Sequence, residues 1–150
     1  MIEKLDNKKK LVSEEIRSVF QKSYKIEAEL LNAIEFPPLK RELESYRNCT
    51  TDFFGYLKED KLAGVIEINH NSEFTHIQSL VVNPLNFRQG IASELINFAL
   101  STYNSNLFIV ETGLDNEPAS NLYRRFGFIE TKQWDTNHGV RKVKFELQKN

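Results

Sequence analysis

A single cysteine, Cys49, in 150 residues excludes an internal disulfide, and no cluster of cysteine and histidine stands at zinc-ligand spacing, so no metal site is expected. Glycine and proline are sparse, at six and four residues, and nowhere gather into a linker that would mark a domain boundary. Neither charge dominates: twenty basic residues face twenty-one acidic ones, and a net charge of -1 provides no global field to draw in nucleic acid or an anionic membrane. No apolar run approaches the ~18 residues a bilayer span needs, and the opening MIEKLDNKKK lacks the apolar core of a secretory signal. Repeats and low-complexity tracts are missing too. These absences predict one soluble, cytoplasmic domain over residues 1–150, long enough to bury roughly 68–70% of its unfolded surface.

What is present is periodicity of two kinds. From Leu11 to Ile34 the residues Leu11, Ile16, Val19, Phe20, Tyr24, Ala28 and Leu31 recur at helical spacing, which predicts one long helix or two in succession. Phe36-Pro37-Pro38-Leu39 breaks that pattern, and helix is expected to resume from Leu39 to Tyr46. Asp52–Leu57, Lys61–Asn69 and Phe74–Val82, rich in β-branched and aromatic residues and separated by turn-like groups, predict an antiparallel meander. Arg88–Tyr103 then carries a helical stripe of Ile91, Leu95, Phe98, Ala99 and Thr102, and an apolar strand follows at Leu107–Glu111. Strand, helix, strand implies a parallel crossover. A helix over Glu117–Arg125 and strands over Phe128–Trp134 and Arg141–Leu147 complete the prediction. The fold class is α/β, with a mixed, mainly antiparallel sheet, a parallel β-α-β crossover and helices on both faces.

The loop Asn86–Leu95, NFRQGIASEL, joins a strand to a helix and places a glycine between basic and small residues. The first turn of a helix has amides without internal partners and a positive dipole end, so the loop can serve as an anion cradle or as simple punctuation. Val82-Asn83-Pro84, Arg88-Gln89-Gly90-Ile91-Ala92 and, downstream, Asn116, Ala119, Leu122, Tyr123, Gly127 and Phe128 together resemble the Gcn5-related N-acetyltransferase (GNAT) superfamily. The second group reads N-x-x-A-x-x-x-Y-x-x-x-G-F, and its pairing with the glycine loop is far more specific than either part. The likeness spans about residues 52 to 130, with Leu11–Leu39 in the place of the family's substrate-side helices. It departs from the family at Phe87, where glutamine or arginine is usual three residues before the glycine.

The resemblance implies the acyl-CoA N-acyltransferase fold, acetyl-CoA as co-substrate and transfer of its acetyl group to a primary amine. The pyrophosphate would lie on main-chain amides from Arg88, Gln89, Gly90, Ile91, Ala92 and Ser93, with Gly90 and Ala92 small enough for close approach and Arg88 adding an ionic contact. Leu80, Val81 and Val82 match the strand whose unpaired backbone holds the pantetheine arm. Tyr123 matches the general acid that reprotonates the departing thiolate, and Asn116 and Ala119 stand at the family spacing, Asn116 as helix cap or cofactor contact.

The base that must deprotonate the ammonium is less defined, because the strand position holding glutamate in several relatives carries His76 and Gln78. His76, with an ordinary pKa near 6.5, and Glu67 and Glu111 on neighbouring strands are the candidates. The acceptor is a small-molecule or protein amine. Phe36–Leu39 falls at the family's acceptor-side loop, and dimerisation, common in the family, is expected without an assigned interface. The alternative function is a non-catalytic acyl-CoA-binding or regulatory module, motivated by Phe87 and the missing strand glutamate.

Overall fold

The computed structural model describes residues 1–149 and is built on a seven-stranded sheet. Its elements run β1 (Ile2–Leu5), α1 (Lys10–Leu30), α2 (Leu43–Asn48), β2 (Asp52–Lys58), β3 (Lys61–His70), β4 (Thr75–Val82), α3 (Ile91–Thr102), β5 (Leu107–Gly113), α4 (Glu117–Arg125), β6 (Ile129–Asp135) and β7 (Arg141–Gln148). The strand order is β1-β2-β3-β4-β5-β7-β6, antiparallel except where β4 meets β5 across the α3 crossover. One face packs Phe54, Ile66, Ile77, Phe108, Val110 and Phe145 against Leu95, Ile96 and Ala99 of α3 and Tyr123 of α4. The other packs Phe53, Val65 and Val81 under Ile16, Val19 and Phe20 of α1 and Tyr46 of α2. The mixed α/β class with helices on both faces is therefore observed.

Several boundaries differ from the sequence prediction for local reasons. The charged N-terminus forms β1, an edge strand pairing Ile2–Leu5 with Phe53–Tyr56, and its Lys4 meets Asp52 at 3.3 Å. Charge on an edge strand protects an open ladder, so polarity concealed it. Helix α1 stops at Leu30 rather than Ile34, with Asn32 at φ 52°, and Leu11 in its first turn is exposed. Pro37–Lys40 forms a 3-10 turn instead of α-helix, and α2 starts only at Leu43. Helix α3 begins at Ile91 because Arg88 and Gly90 take positive φ values of 63° and 78°.

Two irregularities in β4 create the site. The β3–β4 register pairs Glu67 with Ser79 and Ile68 with Ile77, leaving Gln78 as the inserted residue of a β-bulge. Strand β5 joins β4 only at Thr75–Ile77, opposite Phe108–Val110, and beyond those pairs the strands part. The β4 edge from Gln78 to Val82 therefore lacks a β5 partner. Next to the opening, Gly64 lets α3 settle close on the sheet, since a Cβ there would come within 2.8 Å of Ile91 Cγ2 and 3.2 Å of the Val81 carbonyl.

Candidate active site

The loop from Asn83 to Gly90 delivers the N-terminus of α3 to the gap between β4 and β5. Asn83 accepts a hydrogen bond from the Leu85 amide at 3.1 Å and fixes the first bend. Gly90, the N-cap of α3, is left-handed and supplies no side-chain cap. The amides of Gly90, Ile91, Ala92 and Ser93 donate no hydrogen bond among the described residues, and a Cβ added at Gly90 would meet nothing within 4 Å. Unpaired amides, a helix dipole and open space form an anion site. Arg88 and Phe87 line the same cleft, whereas the Gln89 side chain accepts from Lys58 Nζ at 2.6 Å and stays outside it. The Ile91 side chain is buried and leaves only its backbone to the site.

From this loop a cleft of about 610 Å³ runs along the parted strands. Leu80 and Val82 line it, while the Val81 side chain points into the opposite core under α1. Across the gap Asn116, Ala119 and Tyr123 of α4 and its cap form the facing wall. Asn116 caps α4 by accepting from the Ala119 amide at 3.4 Å, and its Nδ2 donates to Glu27 at 3.0 Å. Tyr123 is held by ring contacts to Phe128 and Phe145 at 5.9 and 5.8 Å between centroids. Its hydroxyl has no hydrogen-bond partner among the described residues; burial, with the Glu27 charge nearby, pushes its pKa upward, so the phenol keeps its proton.

A smaller cavity of about 280 Å³ lies beyond the bulge. The two spaces share Tyr24, Glu27, Gln78, Ser79, Glu111 and Thr112, so they meet where β4 and β5 separate. Glu27 is the residue that sequence reading missed. It belongs to α1, which overlies the parted strands, and burial pushes its carboxyl up to about 7 despite the opposing pull of Lys142 and the Asn116 amide. Tyr24, read only as a packing residue, also lines both spaces, and burial, then the Glu27 charge, raises its pKa.

The three candidate bases are not brought together. Glu111 lies at the junction and pairs with Lys142 at 3.6 Å. His76 sits on the part of β4 still joined to β5 and lines neither space; burial lowers its pKa, with Glu111 pulling the other way. Glu67 is fully buried and lines neither space. Its carboxylate accepts from Arg41 at 2.8 and 3.1 Å, Thr51 at 2.7 Å, Ser79 at 3.0 Å and Gln78 at 3.3 Å, which leaves it no free lone pair for substrate. Of the Phe36–Leu39 segment, Phe36, Pro37 and Pro38 line the smaller cavity and Leu39 does not. Among the described residues no group of acidic, cysteine or histidine side chains could hold a metal, and no helix is long and apolar enough to cross a membrane.

A sheet that opens beside a glycine loop, with an uncapped helix aimed into the gap, defines the fold of acyl-CoA N-acyltransferases. Residues 14–149 match the family model of the acetyltransferase (GNAT) domain, and the chain belongs to that family. Among curated proteins it is similar to the UPF0157 protein YqkA of Bacillus subtilis (strain 168), 32% identical over 149 residues and 98% of this chain. The chain spans 43% of that relative's length. The fold matches the ribosomal-protein-S18-alanine N-acetyltransferase of Escherichia coli at TM-score 0.76 and 16% identity, over 99% of this chain and 92% of the other. It also matches the PaiA N-acetyltransferase of Thermoplasma acidophilum, solved in complex with coenzyme A, at TM-score 0.76 and 17% identity, over 99% and 98% of the two chains.

Proposed function

We propose that the protein transfers an acetyl group from acetyl-CoA to a primary amine by direct attack in a ternary complex. The observation that carries this reading is the meeting of two cavities at the Gln78 bulge, with Tyr123 in the wall of one and Glu27 at the boundary. The cofactor fits the residues present: amides of Gly90–Ser93 and the Arg88 guanidinium would take the pyrophosphate, and the free β4 edge from Gln78 to Val82 would bond the pantetheine arm as a neighbouring strand does. Bound there, acetyl-CoA supplies an activated acyl carbonyl at the junction.

Glu27 is assigned as the base. A carboxyl with a pKa near the operating pH is suited to accept a proton from the incoming ammonium. Glu111 lines the same junction, where its ion pair with Lys142 fixes that wall. As nitrogen bonds to the acyl carbon and the carbon–sulfur bond breaks, Tyr123 gives its proton to the thiolate. Desolvation by the surrounding walls and fixed orientation supply the remaining acceleration.

The test is thiol release from acetyl-CoA over a broad amine panel, with mass spectrometry of the product. An N-acetylated amine, formed by the native chain and lost or strongly reduced in Glu27→Gln and Tyr123→Phe, is the expected result. CoA binding by calorimetry with no thiol release from any amine would instead favour the non-catalytic acyl-CoA module.

A further inference from the structure

The walls of the smaller cavity sort by chemistry. Its shared end carries polar groups, Glu27, Gln78, Ser79, Glu111 and Thr112, together with the Tyr24 ring. The rest of its wall is Phe20, Phe36, Pro37, Pro38, His138 and Val140, together with Gly113 and two cations, Arg41 and Lys142. The rings make a continuous chain, with centroids of Phe20 and Tyr24 at 5.8 Å in a tilted pair, and Tyr24 and Phe36 at 5.8 Å and Phe36 and His138 at 6.2 Å edge to face.

The charges in that wall are already matched. Arg41 is bound bidentately by Glu67 and lies 4.2 Å over the Tyr46 ring, while Lys142 pairs with Glu111. A carboxylate or phosphate on the acceptor would find no unpaired arginine or lysine there. The second ammonium of a polyamine would find no free carboxylate either, since Glu35, just outside, is held by Lys40 at 3.1 Å. Burying such a charge without a partner is costly.

The cavity is closed on the α1 side and adjoins a polar pocket at Pro37, Arg41 and His138. Leu31, Phe36 and Val140 pack as a buried cluster with Leu39 and Ala33 against it, tying the end of α1 and the proline segment to the β6–β7 turn. A volume of about 280 Å³, roughly nine waters' worth at ~30 Å³ each, suits one compact molecule.

Resting on the acetyltransferase reading above, we propose that the acceptor is a compact primary amine with one positive charge and an aromatic or aliphatic tail. The ammonium lies against Glu27 at the shared end, and the tail lies along the rings of Phe20, Tyr24 and Phe36.

The full chain is assayed with acetyl-CoA against 2-phenylethylamine, tryptamine, spermidine, alanine and a hexapeptide with a free N-terminal alanine. The expected result is kcat/KM for the two arylalkylamines at least tenfold above every other acceptor. Phe36→Ala is expected to raise KM for 2-phenylethylamine about tenfold while the affinity for CoA, read by calorimetry, is unchanged. His138→Ala, in the half-buried β6–β7 turn, is expected to raise it in the same sense and guards against misfolding of the first variant. Spermidine, alanine or the peptide as the best acceptor would overturn the acceptor class and leave the acetyltransferase reading intact. Binding of CoA with no acceptor turned over would overturn both.

Discussion

On the proposed mechanism two side chains, Glu27 at the cavity junction and Tyr123 in the wall of the larger cleft, carry the proton transfers, and the first of them works against the fold. Activity requires ionised Glu27, so kcat/KM is expected to rise with pH through about 7. Glu27→Gln keeps the Asn116 contact through its amide oxygen, yet should remove that limb of the profile and lower the rate about 10²-fold or more. Stability moves oppositely. The folded pKa of about 7 lies above the ordinary 4.5, so between those values the folded chain binds more protons, and its stability falls as pH rises through that window. Denaturant titrations at pH 5 and pH 8 are therefore expected to show Glu27→Gln gaining on the order of 1 kcal/mol relative to the native chain only at the higher pH. Tyr123→Phe retains the ring contacts to Phe128 and Phe145 and should fold normally. Its expected cost is about a hundredfold in kcat with acetyl-CoA affinity preserved, measured by stopped-flow thiol release and calorimetry.

At the level of elements, the strand-to-helix loop is a preformed cradle whose shape depends on one left-handed residue. Gly90→Ala places a Cβ at φ 78°, which costs about 1–2 kcal/mol in a conformation that L-residues avoid. A roughly tenfold weaker CoA affinity by calorimetry, with an unchanged circular dichroism spectrum, is the expected outcome. Elements with strong periodicity were readable in the chain: β3 and α3 follow directly from apolar spacing, and the loop between β4 and α3 from its glycine. Strand β1 was not, because its consecutive charged residues Glu3 and Lys4 lie exposed on an edge strand and break the period-two pattern. Glu27 was hidden for a related reason, since an acid on a helix looks solvated until tertiary packing lays that helix across parted strands. His76 was chosen by ungapped counting back from Gly90, and the inserted Gln78 lies within that count, so the spacing could not reveal which side chains face the opening. Glu67 was legible as a strand acid, but not its engagement by Arg41, which arrives from a distant segment.

Across the molecule, Arg41 and Glu67 couple the proline segment and α2 to the centre of the sheet. Their side chains are 17% and 0% exposed, so removing one partner strands a charge in a dry site. Glu67→Ala is expected to lose about 3–5 kcal/mol in urea unfolding, whereas joint replacement of both by apolar residues of similar size should recover most of it. Thr51, Gln78 and Ser79 converge on the same carboxylate, so this loss should also disturb the junction and raise the KM for amine. The bulge at Gln78 adds a constraint of length. Excising that single residue would join Ile77 to Ser79, whose partners Ile68 and Glu67 are already consecutive, so the ladder with β3 would become regular with each half of β4 keeping its face, and the irregularity beside the parted strands would be lost. Length at this point consequently shapes the cleft alongside composition: the extra residue, and not only the side chain it carries, sets the strand's path where the two cavities meet.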